Sequence, residues 1–148
     1  MNIFTGNIKR FYMQKLLFIF AMTFSIATLS AQTKHKIVFD FAGADTAAHS
    51  GILRQLNNVL REAPDAELEV VCHGAAVFMM VKDKTLVEEK MKELMKKGSV
   101  SFKVCANSMR MRGVDKSQLI SLAEIVPVAM LELAKKQEEG WSYIWAGH

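Results

Sequence analysis

Residues Thr85–Gly113 read TLVEEKMKELMKKGSVSFKVCANSMRMRG, and the hydrophobic period changes partway along them. Val87, Met91, Leu94 and Met95 recur at helical spacing, lysines gather toward the end, and Gly98 stops the run. That spacing puts one apolar side on a helix, and a glycine after the last lysines closes it. From Val100 the period falls to two: Val100, Phe102 and Val104 share one side, while Ser101 and Lys103 take the other. This is a strand. Cys105 falls with Ser101 and Lys103 or has already left the strand, and Asn107 and Ser108 behind it are N-cap residues for a further helix.

The alternation continues on both sides. Upstream, KIVFDFA (Lys36–Ala42) reads as a strand, and Asp45 and Thr46 are caps for a helix marked by Ile52, Leu53, Leu56, Val59 and Leu60. LEVVCHG (Leu68–Gly74) is a second strand, and AAVFMMV after it a short apolar helix. Downstream, DKSQLIS opens on Asp115 as another short helix, and AEIVP supplies a fourth strand. Pro127 starts a helix through VAMLELAKKQEEG, and WSYIW forms a last strand packed on the core. Strands alternating with helices predict an α/β domain of three layers, α/β/α, around a mostly parallel sheet of about five strands. Ligands collect outside the carboxyl ends of such strands. Those ends are Ala42–Asp45, Cys72–Gly74 and Cys105–Ser108, with His49 nearby.

Residues 1–31 stand apart. Lys9, Arg10 and Lys15 precede an apolar run from Leu16 to Leu29, and Ser30 and Ala31 end it with small side chains. This pattern is that of a secretory signal peptide, and the run is shorter than the ~20 residues of a spanning helix. The expectation is a signal over 1–31, a single domain over 32–148, and a protein exported to the periplasm. An uncleaved segment would make it membrane-anchored, and Met13 is an alternative start. Three of the 19 Lys and Arg, and none of the 15 Asp and Glu, precede Gln32. The remaining chain is nearly neutral, which gives no footprint for nucleic acid.

The two cysteines differ. Alternation puts Cys72 with Leu68 and Val70 on the more apolar face of its strand, where a thiol acts as a small buried hydrophobe. Cys105, just before a helix start, meets unpaired N–H groups and a positive dipole end that favour the thiolate, with Arg110 and Arg112 close in sequence. Packing alone would also explain Cys105. A Cys72–Cys105 disulfide is a third arrangement, compatible with export but not with opposed facing. Cys72 and His73 are adjacent on a strand and cannot ligate one ion, so no metal is expected. Glycine-rich phosphate loops and nucleophile elbows are missing, and CANS is a C-x-x-S spacing of the monothiol redox type. Met109 and Met111 flank Arg110 and would line a pocket or a subunit contact.

Four segments carry a family resemblance: HKIVFDFAGAD, DAELEVVCHGAAV, VSFKVCANSMRMRGV and EIVPVAMLELAKKQEEGWSYI. From Lys36 to Trp145 the chain resembles the DsrE/DsrF-like family of small α/β proteins linked to sulfur relay and intracellular sulfur oxidation. The resemblance implies homo-oligomers, often trimers or larger, and a thiolate that becomes a persulfide and passes sulfur between donor and acceptor proteins. That role falls on Cys105. Asn107 and Ser108 would cradle the thiolate, Arg110 would stabilise its charge, and His73 and Gly74 would line the pocket. No cofactor is implied. The alternatives are a non-catalytic oligomeric binding module of the same fold and a thiol-disulfide protein pairing Cys72 with Cys105.

Overall fold

The computed structural model describes residues 34–146, so the expected signal peptide lies outside the described residues. The strands are β1 (Lys36–Phe41), β2 (Glu67–Cys72), β3 (Ser99–Cys105), β4 (Ala123–Val126) and β5 (Ser142–Trp145). The helices are α1 (Thr46–Glu62), α2 (Glu88–Lys97), α3 (Ala106–Arg112) and α4 (Ala129–Glu138), with 3-10 helices at Gly74–Met80 and Lys116–Gln118. The strands form one five-stranded sheet in the order β4-β3-β2-β1-β5, and every pairing is parallel.

Connectivity decides what covers each face. The chain steps one way along the sheet from β1 to β4, then returns past β1 to place β5. Crossovers of one handedness that run in opposite directions lie on opposite faces. The larger core packs Phe39, Phe41, Val70, Cys72, Phe102 and Val104 against Ile52, Leu56, Met91 and Leu94 of α1 and α2. On the other face α4 packs with a smaller cluster of Val38, Val71, Cys105, Ala129 and Leu133. This is the three-layer α/β fold the alternation predicts.

Local signals mark most ends. Asp45 caps α1, its Oδ1 accepting the Ala48 N–H at 2.7 Å. Gly113 ends α3 in the left-handed region at φ 64°, where glycine carries no Cβ penalty.

Several expectations need correction. AAVFMMV and DKSQLIS form 3-10 helices, the second only three residues long and closed by a reciprocal capping box between Asp115 and Gln118. Pro127 does not begin α4; Val128 is extended and caps it, so the helix starts at Ala129. Met95 is exposed, because Met91 and Leu94 already fill that side of α2. WSYIW is a fifth strand, but Ser142–Trp145 is exposed along its length because it pairs at the sheet's edge.

Candidate functional site

Three elements hold Cys105. It ends β3 and is itself the N-cap of α3, with extended backbone at φ −73° and ψ 115°. Asn107 and Ser108 are therefore not caps but lie in the first turn of α3. There their N–H groups are among the orphan donors of a helix start. Across the α4 face, the Ala129 N–H approaches Cys105 Sγ at 3.4 Å. The thiol thus meets the beginnings of two helices.

The electrostatic balance follows from these contacts. Burial is the largest single influence on Cys105 and opposes ionisation; the residue is only 3% exposed. Against it act the Ser108 hydroxyl and the backbone N–H groups of Ser108, Ala129 and Asn107. Together they hold the thiol below its ordinary pKa. Hydrogen bonds to a charged acceptor are the strong ones, which is how several outweigh burial. Cys72 has no such donors. It is fully buried, and desolvation alone pushes its pKa far up.

Gly74 contributes through its backbone. Its N–H donates to Ser108 Oγ at 3.0 Å, leaving the single hydroxyl proton of Ser108 free to serve the sulfur. Gly74 has φ 55°, a conformation that directs this N–H without a side-chain clash. The Arg110 guanidinium is bonded to Asn107 Oδ1, on the exposed side of α3, not to the thiol. Arg110 lies five residues along the helix from Cys105, a rise of roughly 7.5 Å, which accounts for its separation.

His73 belongs to a constellation that the sequence did not disclose. Its Nε2 lies 2.6 Å from Asp40 Oδ1, and the Tyr143 hydroxyl donates to Asp40 Oδ2 at 2.7 Å. The three residues come from β1, the end of β2, and β5. The last pairing of β2 with β3 is Cys72 with Val104, and His73 stays extended at φ −138° and ψ 178°. One step further brings His73 level with Cys105, on the face that α4 partly covers. The signal for Asp40 was present: an aspartate inside the apolar strand KIVFDF. Tyr143 lies 103 residues away, and nothing local links them.

Other candidates lie apart. His49 is buried on the opposite face, within hydrogen-bond distance (3.2 Å) of the Gly43 carbonyl and edge-on to Phe41. The disulfide arrangement is not formed: Cys72 and Cys105 are both free and belong to the packing clusters of opposite faces. Met109 is buried in the larger core and Met111 exposed. A groove of about 350 Å³ between α1 and α2, lined by Ser50, Arg54, Asn57, Lys90 and Lys97, belongs to the helical layer across the sheet from Cys105.

A parallel five-stranded α/β sheet with a hydrogen-bonded thiol at the end of its third strand defines the class. The chain belongs to the DsrE/DsrF-like family, whose model matches residues 21–146. Among solved structures it is similar to MTH1491 of Methanobacterium thermoautotrophicum, a protein of unknown function. The TM-score is 0.70 and the identity 23%, over 76% of this chain and 99% of that one. It is also similar to the E. coli protein YchN, with TM-score 0.63 and 20% identity over 75% and 98% of the two chains. At those identities the likeness is one of fold. No curated protein matches the chain.

Proposed function

We propose that this protein is an exported sulfur carrier that holds sulfane sulfur as a persulfide on Cys105, and that it works as a homo-oligomer, a trimer or larger. One observation carries the reading. A nearly buried thiol accepts the Ala129 N–H and sits at the first turn of α3. There the Ser108 hydroxyl and the Ser108 and Asn107 N–H groups favour its thiolate and, despite desolvation, hold its pKa below the ordinary value. Thiolates attack sulfur, and donors that favour the thiolate favour that attack. Burial does not block the product. The outer sulfur of a persulfide stands one S–S bond, ~2 Å, beyond Sγ, so a shielded Sγ can present a reachable terminal sulfur.

The surroundings support an oligomer. Val128, Met130 and Leu131 are exposed at the start of α4 beside the thiol, and Ile125 is exposed on β4. Clustered apolar exposure of this kind marks protein contacts. A second copy, or a donor or acceptor protein, would seat there. The test is sulfane-sulfur transfer from a persulfide donor to a thiol acceptor. Cys105→Ser is expected to abolish transfer and Cys72→Ser to spare it; full transfer by Cys105→Ser would end the proposal.

The binding-module reading has its own support: Cys105 Sγ accepts the first N–H of α4, as a purely structural cap would. Thiol labelling of the native protein separates the two. Rapid labelling of one cysteine supports the carrier, and labelling of neither before denaturation supports the module.

A further inference from the structure

The Asp40–His73–Tyr143 cluster takes no part in holding the Cys105 thiolate, yet it is assembled from β1, the end of β2 and β5 on the same face of the sheet. Asp40 is 8% exposed, and both of its carboxylate oxygens are occupied. The Asp40 carboxylate can only accept, so the Tyr143 hydroxyl donates to it on one side and the ring N–H at His73 Nε2 on the other. A carboxylate behind the ring fixes its orientation and pairs with the imidazolium, the form that carries a second proton, on Nδ1. The second ring nitrogen, Nδ1, has no hydrogen-bond partner among the described residues, and the His73 side chain is 26% exposed. Strand order puts His73 between the two other groups, with β3 and its thiol on one side and β1 with Asp40 on the other.

We propose that His73, as the imidazolium paired with Asp40, is the acid that protonates through Nδ1 the departing thiolate when Cys105 takes sulfur from an alkyl persulfide, with Asp40 and Tyr143 as positioning residues. This rests on the sulfur-carrier reading. Cys105 Sγ attacks the outer sulfur of R–S–SH, so that a new S–S bond forms as the R–S–S bond breaks. The electron pair of the broken bond leaves on R–S⁻, which takes the Nδ1 proton and departs as R–SH. The outer sulfur keeps its own proton and becomes Cys105–S–SH. Transfer of that proton to Nδ1 leaves the persulfide anion and restores the acid. No oxidant or reductant is consumed, because the sulfane sulfur only changes its thiol. Alkyl thiolates are basic leaving groups and gain from such an acid; aromatic thiolates are weak bases and do not.

The test compares two electrophiles on the full chain: an alkyl persulfide, followed by sulfur gain in the intact mass, and an aromatic disulfide, followed by release of the aromatic thiolate. His73→Gln is expected to slow the alkyl reaction by about 100-fold, in the range of general acid catalysis, and to leave the aromatic one unchanged. Tyr143→Phe, which keeps the ring and removes only the hydroxyl, should slow the alkyl reaction alone and to a smaller extent. An unchanged aromatic reaction also shows that each variant is folded around a competent thiolate. Equal slowing of both reactions, or of neither, would overturn the role of His73 while leaving the carrier reading intact. A native chain that gains no sulfur at all, yet reacts with the aromatic disulfide, would overturn the carrier reading and this role with it.

Discussion

Ser108 carries a large share of what distinguishes Cys105 from Cys72, since its hydroxyl is the foremost of the donors that lower the thiol pKa. Ser108→Ala should slow native labelling of Cys105 at neutral pH on the order of tenfold, the worth of one strong hydrogen bond to a charged acceptor. The labelling midpoint should move upward. Above the folded pKa the native thiolate already exists, so folding gains stability as pH rises toward the ordinary value of 9.0, and loses it as pH falls back through the folded pKa. Cys72 has the opposite sign. Its raised pKa keeps it neutral when folded, so its contribution is fully present below 9.0 and declines above that pH, where the unfolded chain can ionise. Urea denaturation across pH, on native protein and on Cys105→Ser, measures both. Gly74→Ala makes a separate test. Its Cβ would meet nothing within 4 Å, but φ is 55°, so a cost of about 1 kcal/mol is expected from backbone strain alone.

At the scale of elements, α4 is the piece on which the site depends. It packs on its face of the sheet through Ala129 and Leu133, and Lys136 lies 3.6 Å from buried Glu69 and 4.5 Å from the Trp141 ring centroid. Leu133→Ala should cost about 2–5 kcal/mol in chemical denaturation, the range for emptying a buried leucine site. It should also raise the labelling midpoint of Cys105, because the Ala129 N–H would be held less firmly; an unaltered midpoint would separate helix packing from the thiol. The strands and α1 and α2 were legible in the sequence because period is a local property of side chains. The beginnings of α3 and α4 were not. Cys105, rather than Asn107 or Ser108, caps α3, and the Ala129 N–H that reaches the sulfur is a backbone group with no signature in sequence. Asp40 and His73, 33 residues apart, meet only because β1 and β2 pair in register.

At the largest scale, the parallel sheet gathers β1, β2 and β3 ends into one row, and among the described residues one face of that row is covered by α4 alone. The exposed Met130 and Leu131 of α4 sit where a neighbouring subunit would complete the cover. Leu131→Glu is therefore expected to shift the protein to monomer in sedimentation velocity; a wild-type monomer, or an unchanged variant, would remove this face from the assembly. The order of strands and helices among the described residues was legible because alternation of period survives without knowledge of contacts. The chemistry was legible only in part, since Cys105, Asn107 and Ser108 stood out by position while the Ala129 N–H, Asp40 and Tyr143 did not. The most direct test of the account is the intact mass of the reduced protein before and after exposure to inorganic polysulfide. The account predicts a gain of one or more sulfur atoms, reversed by reductant and missing in Cys105→Ser. No gain, or the same gain in Cys105→Ser, would contradict it.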